Sequence, residues 1–519
     1  MNGVISCEEL ARLMPSKGLY AVFDVRERGE YNGGQIPGTS SLPRSQIEFR
    51  IAELVPDRHV PVVVYDEGGA RAPLASATLR RLGYEGVSIL QGGLSAWQSE
   101  GRSTVSGVNV PSKAFGERVQ HERNIPDLTA EELKTLSDRA SDLVILDVRT
   151  PEEYGRFCIP GGINVPGGDL ILWADDLKRR NATVVVNCAG RTRSIIGTAG
   201  LRRLGLTNVC ALRNGTMGWV LAGLELEPKP KRINSGAPPG GSEAARALAR
   251  GLADEEKIPR ISSGKLTHLL EANGVKYFID VRSEAEYAAG HVRGSTHVPG
   301  GQAVQRADDF VAVRNAPIVF VSNEGARAVM AAYWYQELGF ADVSILDGGV
   351  RAWRENGGPI ERGPSEILPA GFDAARGRAR FVEARAVEQR TRDASPLILD
   401  VGSSLDFESA HLPGARWMTR GWLELKLPEF YADRAQEIII TCPDGRQSIF
   451  AAQTLAGLGY ANISVLDGGT RAWSTAGFFT EQGVDGCLVE RNDVVLSPSI
   501  RGTKEDMQRY LDWELTLHN

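Results

Sequence analysis

The chain has 519 residues, 42% hydrophobic and 24% charged, with a formal net charge of -6. That length exceeds what one core serves, and the mild acidity argues against a nucleic-acid or membrane-surface role. No apolar run approaches the roughly 20 residues that cross a bilayer, and six cysteines scattered over such a length do not make a disulfide framework.

MNGVISCEELARLMPS at the start lacks the basic and apolar regions of a secretory leader, so a reducing cytoplasm is the expected compartment. The first quarter then runs through a strand AVFDVR (21–26) and a second strand entering a loop, VVVYDEGGARA (62–72). A helix closing on LRRLG (79–83) and a segment LQGGLSAW (90–97) complete it. The second quarter repeats the series with VILDVR (144–149), VVVNCAGRTRS (184–194), LRRLG (201–205) and LRNGTMGW (212–219). The third has YFIDVR (277–282), IVFVSNEGARA (318–328), YQELG (335–339) and LDGGVRAW (346–353). The fourth has LILDVG (397–402), IIITCPDGRQS (438–448), LAGLG (455–459) and LDGGTRAW (466–473).

The intervals are nearly constant. From the strand-end Asp (24, 147, 280, 400) to the first loop position (66, 188, 322, 442) is 42, 41, 42 and 42 residues, and from there to Trp97, Trp219, Trp353 and Trp473 is 31 each time. Four homologous α/β domains are therefore expected, at 1–105, 126–228, 259–361 and 380–479, with an unrepeated extension at 480–519. Fully apolar runs such as VVVN suit central parallel strands buried on both faces. Gly83, Gly205, Gly339 and Gly459 read as helix stops, and the four tryptophans as core. Linkers fall at 106–125, 229–258 and 362–379. Within or after them, 112–122 and 242–256 read as short helices capped by Ser112 and Ser242. In the extension, 503–514 reads as a capped helix that packs back onto a domain or makes a dimer contact.

A loop leaving a buried strand for a helix is where open α/β sheets place their sites. In CAGRTRS, the backbone N–H groups around Gly190, the start of a helix near Ser194 and the cations Arg191 and Arg193 converge on Cys188. Such a setting is expected to hold a thiolate below the free value of about 8.5. Asp147 and Arg149 recur in loops that lack a nucleophile and read as a fold-internal pair, and Cys158 as a small buried residue. Cys7, Cys210 and Cys487 have no supporting context. No metal-ligand spacing, P-loop or dinucleotide fingerprint occurs, so neither metal nor cofactor is expected.

The repeated unit resembles a rhodanese domain in its Asp-Val-Arg strand end (Asp-Val-Gly in the fourth copy), the segments GQIPGTSSLP (34–43), CIPGGINVP (158–166), GHVRGSTHVP (290–299) and AHLPGARW (410–417), the six-residue loop and the Gly-Gly…Trp segment (Asn-Gly in the second copy). The resemblance implies a mostly parallel five-stranded sheet flanked by helices. It aligns Cys188 with the persulfide-carrying nucleophile and Arg193 with the loop-closing arginine. Ala189, Gly190, Arg191, Thr192 and Ser194 then form the substrate cradle.

Asp66 and Ser322 replace the nucleophile in the first and third copies, which are expected to be silent although Arg71 and Arg327 remain. Cys442 keeps the nucleophile in the fourth. Pro443 removes a donor there, Asp444 adds a carboxylate, and Arg446 stands one place early with Gln447 aligned to Arg193, so a second site at Cys442 and Arg446 is expected to be less activated. The implied activity moves sulfur from thiosulfate or a similar small anion to cyanide or a thiol, with protein donors or acceptors and a homodimer left open. A persulfide carrier or scaffold is the alternative. A cysteine phosphatase or arsenate reductase fits less well, because only four residues separate Cys188 from Arg193.

Overall fold

The computed structural model describes residues 3–139, 142–233, 236–364 and 368–518. Residues 234–235 and 365–367 of the two later linkers, and 140–141 of the second domain, lie outside it. The chain divides into two compact units. One joins Met1–Gly107 to Ile367–Val495, and the other joins Val108–Glu366 to Leu496–Asn519. The first domain thus packs with the fourth, and the second with the third.

Each domain holds one five-stranded sheet, and the strand pairings within it are parallel, as in β-ladders such as Thr183–Asn187 beside Leu143–Asp147. In the second domain the order is Asp127–Leu128, Val209–Leu212, Thr183–Asn187, Leu143–Asp147, Ile163–Asn164. Thr183–Asn187 is central, with Val184 opposite Val144 and Asn187 opposite Asp147. Its residues Val184, Val185 and Val186 are buried on both faces, as a parallel strand covered by crossover helices requires.

Local chemistry accounts for the recurrent signatures. Trp97, Trp219, Trp353 and Trp473 are buried, and each indole N–H donates to a carbonyl six residues on: Ser103, Glu225, Pro359 and Phe479. Gly83, Gly205, Gly339 and Gly459 have φ of 91°, 93°, 94° and 87°, the left-handed stop expected of them. Arg149 and Asp147 form a buried pair at 2.7 Å, matched by Arg26–Asp24 and Arg282–Asp280. In the fourth domain Gly402 replaces that arginine, and the buried Trp417 indole donates to the Gly402 carbonyl instead.

Two helix starts differ from what the sequence suggests. The helix Val110–Glu122 begins after Asn109 (φ 52°), and Gly241–Glu255 after Gly240 (φ 76°). A left-handed residue leads into each of them, so Ser112 and Ser242 lie inside the helices rather than capping them. The C-terminal helix Lys504–Thr516 is capped as anticipated, the Thr503 hydroxyl accepting from Asp506 N–H. It packs on the helix Gly215–Leu221 of the second domain and on the linker helix Val110–Glu122.

Candidate active site

The loop 188–194 joins the central strand to the helix Thr192–Arg203. Cys188 is 2% exposed, and its thiol donates to the Ser194 hydroxyl at 3.6 Å. That hydroxyl donates in turn to the Arg191 carbonyl at 2.8 Å. Below the loop, the Cys188 and Ala189 carbonyls accept from the N–H groups of Thr216 and Met217. This latch depends on two successive left-handed residues, Asn214 (φ 63°) and Gly215 (φ 54°). The same pair is Gly92–Gly93, Gly348–Gly349 and Gly468–Gly469 in the other domains.

Both loop arginines are held by carboxylates. Arg193 makes a fork with Glu153 at 2.6 and 2.8 Å. Arg191 makes one with Glu117 at 2.7 and 2.8 Å and also donates to Asn214. Glu117 comes from the helix Val110–Glu122, in a stretch that reads as linker. Above Gly190, the C-terminal helix brings Glu514, 1% exposed, which pairs with the buried Lys113 and accepts from the Thr192 hydroxyl. Glu117, Glu153, Lys113 and Glu514 do not stand out in the sequence. Only Glu153 carries a signal there: a carboxylate stands six residues after the strand-end Asp in every copy (Glu30, Glu153, Glu286, Asp406).

The pairs Arg71–Glu30 and Arg327–Glu286 repeat this fork in domains without a nucleophile, so its first role is to tie the loop to the sheet. Burial opposes ionisation of Glu153, but the Arg193 guanidinium, the Thr150 N–H and Arg149 hold its carboxyl down at about 2. The folded value lies below the unfolded one, so this stabilisation is complete above about pH 4.5 and drains as pH falls toward 2. Glu153→Gln is expected to cost about 2 kcal/mol at neutral pH, since it strands a largely buried guanidinium. In denaturant titrations the gap from the parent protein closes below about pH 4; a gap independent of pH would contradict the assignment.

The other three loops carry Asp66, Ser322 and Cys442 at the position of Cys188. The Asp66 carboxylate accepts three backbone N–H groups: Gly68 at 2.7 Å, Gly69 at 2.9 Å and Ala72 at 2.9 Å. These correspond to Gly190, Arg191 and Ser194. Ser322 accepts from Ala328 N–H at 3.3 Å. Cys442 is fully buried, and burial with the carboxylates of Asp400 and Asp444 pushes its thiol up to about 11. Arg446 sits beside Asp444, its Nε 3.6 Å from the carboxylate. Cys158 is buried beside Glu227 and Arg232. Among the described residues no group of three or more His, Cys, Asp or Glu is arranged to hold a metal ion, and no helix is long and apolar enough to cross a membrane.

The chain matches the rhodanese-like domain four times, over residues 6–100, 129–222, 262–356 and 383–476. It belongs to the rhodanese family. Among curated relatives it is 38% identical over 87 residues to the thiosulfate sulfurtransferase GlpE of Pseudomonas paraeruginosa, covering 16% of this chain and 74% of that protein. It is 32% identical over 214 residues to the putative thiosulfate sulfurtransferase SseB of Mycobacterium tuberculosis, covering 33% and 72%. The crystal structure of a thiosulfate sulfurtransferase from Pseudomonas aeruginosa superposes with a TM-score of 0.92 at 37% identity, covering 99% of this chain and 97% of that one. Four rhodanese domains and these relatives make the chain an enzyme of the sulfurtransferase family.

Proposed function

We propose that this rhodanese moves sulfane sulfur through a persulfide on Cys188. The Cys188 thiolate attacks the outer sulfur of thiosulfate or a similar anion. The sulfur–sulfur bond of the donor breaks, sulfite leaves with the electron pair, and Cys188–S–S⁻ remains. Cyanide or a cytoplasmic thiol then attacks the outer sulfur and regenerates the thiolate. Ala189, Gly190, Arg191, Thr192 and Ser194 form the cradle, and Arg193 closes it. The observation that carries this reading is Asp66. A carboxylate at the homologous strand end is received by three loop N–H groups, and a loop of the same length at Cys188 has the amides to support an anionic terminal sulfur.

Arg191 and Arg193, paired as they are, act by fixing the ring of amides and contribute only a compensated charge to the donor's sulfonate end. Intact-mass measurement after thiosulfate treatment, followed by peptide mapping, is expected to find one added sulfur atom on Cys188 and to see it removed by cyanide. Addition at Cys442 alone would refute the assignment. The carrier reading draws on the silent loops at Asp66 and Ser322, which leave whole domains free for binding; loading of Cys188 from a protein persulfide but not from thiosulfate would favour it.

A further inference from the structure

The fourth domain carries a second cavity of unlike chemistry. Between it and the first domain, inside one compact unit, lies a cavity of about 350 Å³. Its wall includes Cys442, Phe49 and four carboxylates, Glu27, Asp406, Asp444 and Asp493, and no Lys, Arg or His among the described residues. The corresponding cavity beside Arg193, about 390 Å³, is lined by Arg193, Arg282 and His297 as well as by acids.

We infer that the cavity at Cys442 is a binding site for a small organic cation bearing an ammonium or guanidinium group, and not for an anionic sulfur donor. The four carboxylates have few compensating charges. Glu27, 2% exposed, is met by a neutral hydroxyl from another domain, that of Thr419 at 2.9 Å. The nearby Arg71 is committed to a fork with Glu30. Asp493 accepts the Ser404 N–H on one oxygen while its buried Oδ1 has no hydrogen-bond partner. Asp406 receives the Ser403 hydroxyl. Arg446 approaches Asp444 from a half-exposed position outside the wall.

The crowding is felt within the wall itself. Burial, partly offset by Thr419, and the charges of Asp493 and Glu30 push the Glu27 carboxyl up to about 7. Two positions differ from the second domain here. Gln447 stands where Arg193 closes that loop, and Gly402 stands where Arg149 neutralises Asp147, so that behind the wall burial pushes Asp400 up to about 7. A metal ion is not the natural occupant, because the acidic groups do not converge on one point. They are spread around a cavity wide enough for an organic cation, with the aromatic side chain of Phe49 in the wall. Burial raises the Cys442 thiol first and Asp444 adds to it, and a cation there offsets the second contribution.

The test compares a matched pair of probes on the full chain by titration calorimetry: phenyltrimethylammonium and benzenesulfonate. The cation is expected to bind at least about tenfold more tightly, in line with the local enrichment that a one-sign cleft produces. A crystal soaked with it is expected to show it against Phe49 and Asp444. Asp444→Asn and Asp493→Asn, near-isosteric changes, are each expected to weaken the cation severalfold and leave thiosulfate turnover at Cys188 unchanged. Equal affinity for the two probes, preference for the sulfonate, no binding, or a cation seated elsewhere would overturn the inference. Thiosulfate turnover, read separately, reports on Cys188 alone, so either proposal can fail without the other.

Discussion

Cys188→Ala is expected to reduce thiosulfate:cyanide turnover by at least about a thousandfold, the usual scale when the nucleophile of a covalent mechanism is removed. On the proposed mechanism the loss falls on kcat, because the loop backbone survives the substitution: the Thr216 and Met217 N–H groups that hold it bond to carbonyls, not to the thiol. Cys442→Ala is expected to leave turnover within about twofold of the parent. Its thiol is held protonated by burial and two carboxylates, and its loop lacks an arginine at 447. Initial rates with varied thiosulfate and cyanide decide between the two sites. Parallel double-reciprocal lines lost with Cys188 support the two-step transfer. If Cys188→Ala keeps its rate and Cys442→Ala loses it, the active domain is the fourth.

Much of the fold was legible because it is repeated. Spacings of 41 or 42 and of 31 residues recur only if each copy closes the same sheet with the same connections. Runs such as Val184–Val186 or Ile438–Ile440 specify buried central strands without help from distant residues. The pairing of domains was not legible. It rests on contacts such as Arg420 with Glu48, both buried and 372 positions apart, which no periodicity announces. The same holds for the loop arginines. Arg191 and Arg193 look like free cations in CAGRTRS, yet their partners come from a linker helix (Glu117) and from a helix 40 residues upstream (Glu153). The four internal copies did contain the second partner. Where Arg193 becomes Gln447, the carboxylate at the Glu153 position shortens to Asp406, a covariation within one chain. The glycine four residues before each tryptophan, preceded by Gly or by Asn214, was visible as a signature, but its reason is geometric and emerges only in three dimensions.

That reason sets the second large effect. A methyl group added at Gly215 would lie 2.2 Å from the Cys188 carbonyl oxygen and 2.8 Å from that of Gly190. The residue also sits at φ 54°, where a side chain is strained. Gly93, Gly349 and Gly469 face the carbonyls of Asp66, Ser322 and Cys442 at 2.4, 2.1 and 2.0 Å in the same way. The close approach is what lets the helix start at 215 hold the loop from beneath, so backbone must yield when a side chain is inserted. Gly215→Ala is therefore expected to cost on the order of 3 kcal/mol, combining a left-handed penalty with overpacking. It is also expected to lower turnover about a hundredfold by misplacing the loop amides. Gly155→Ala provides the contrast: a methyl there meets nothing within 4 Å and φ is not positive, so stability is expected to rise by about 0.5 kcal/mol with turnover unchanged. Denaturant midpoints and kcat for the two variants separate the cases. A Gly215→Ala protein with parental stability and rate would mean that the loop is not held by this turn, and the amide ring would then need another support.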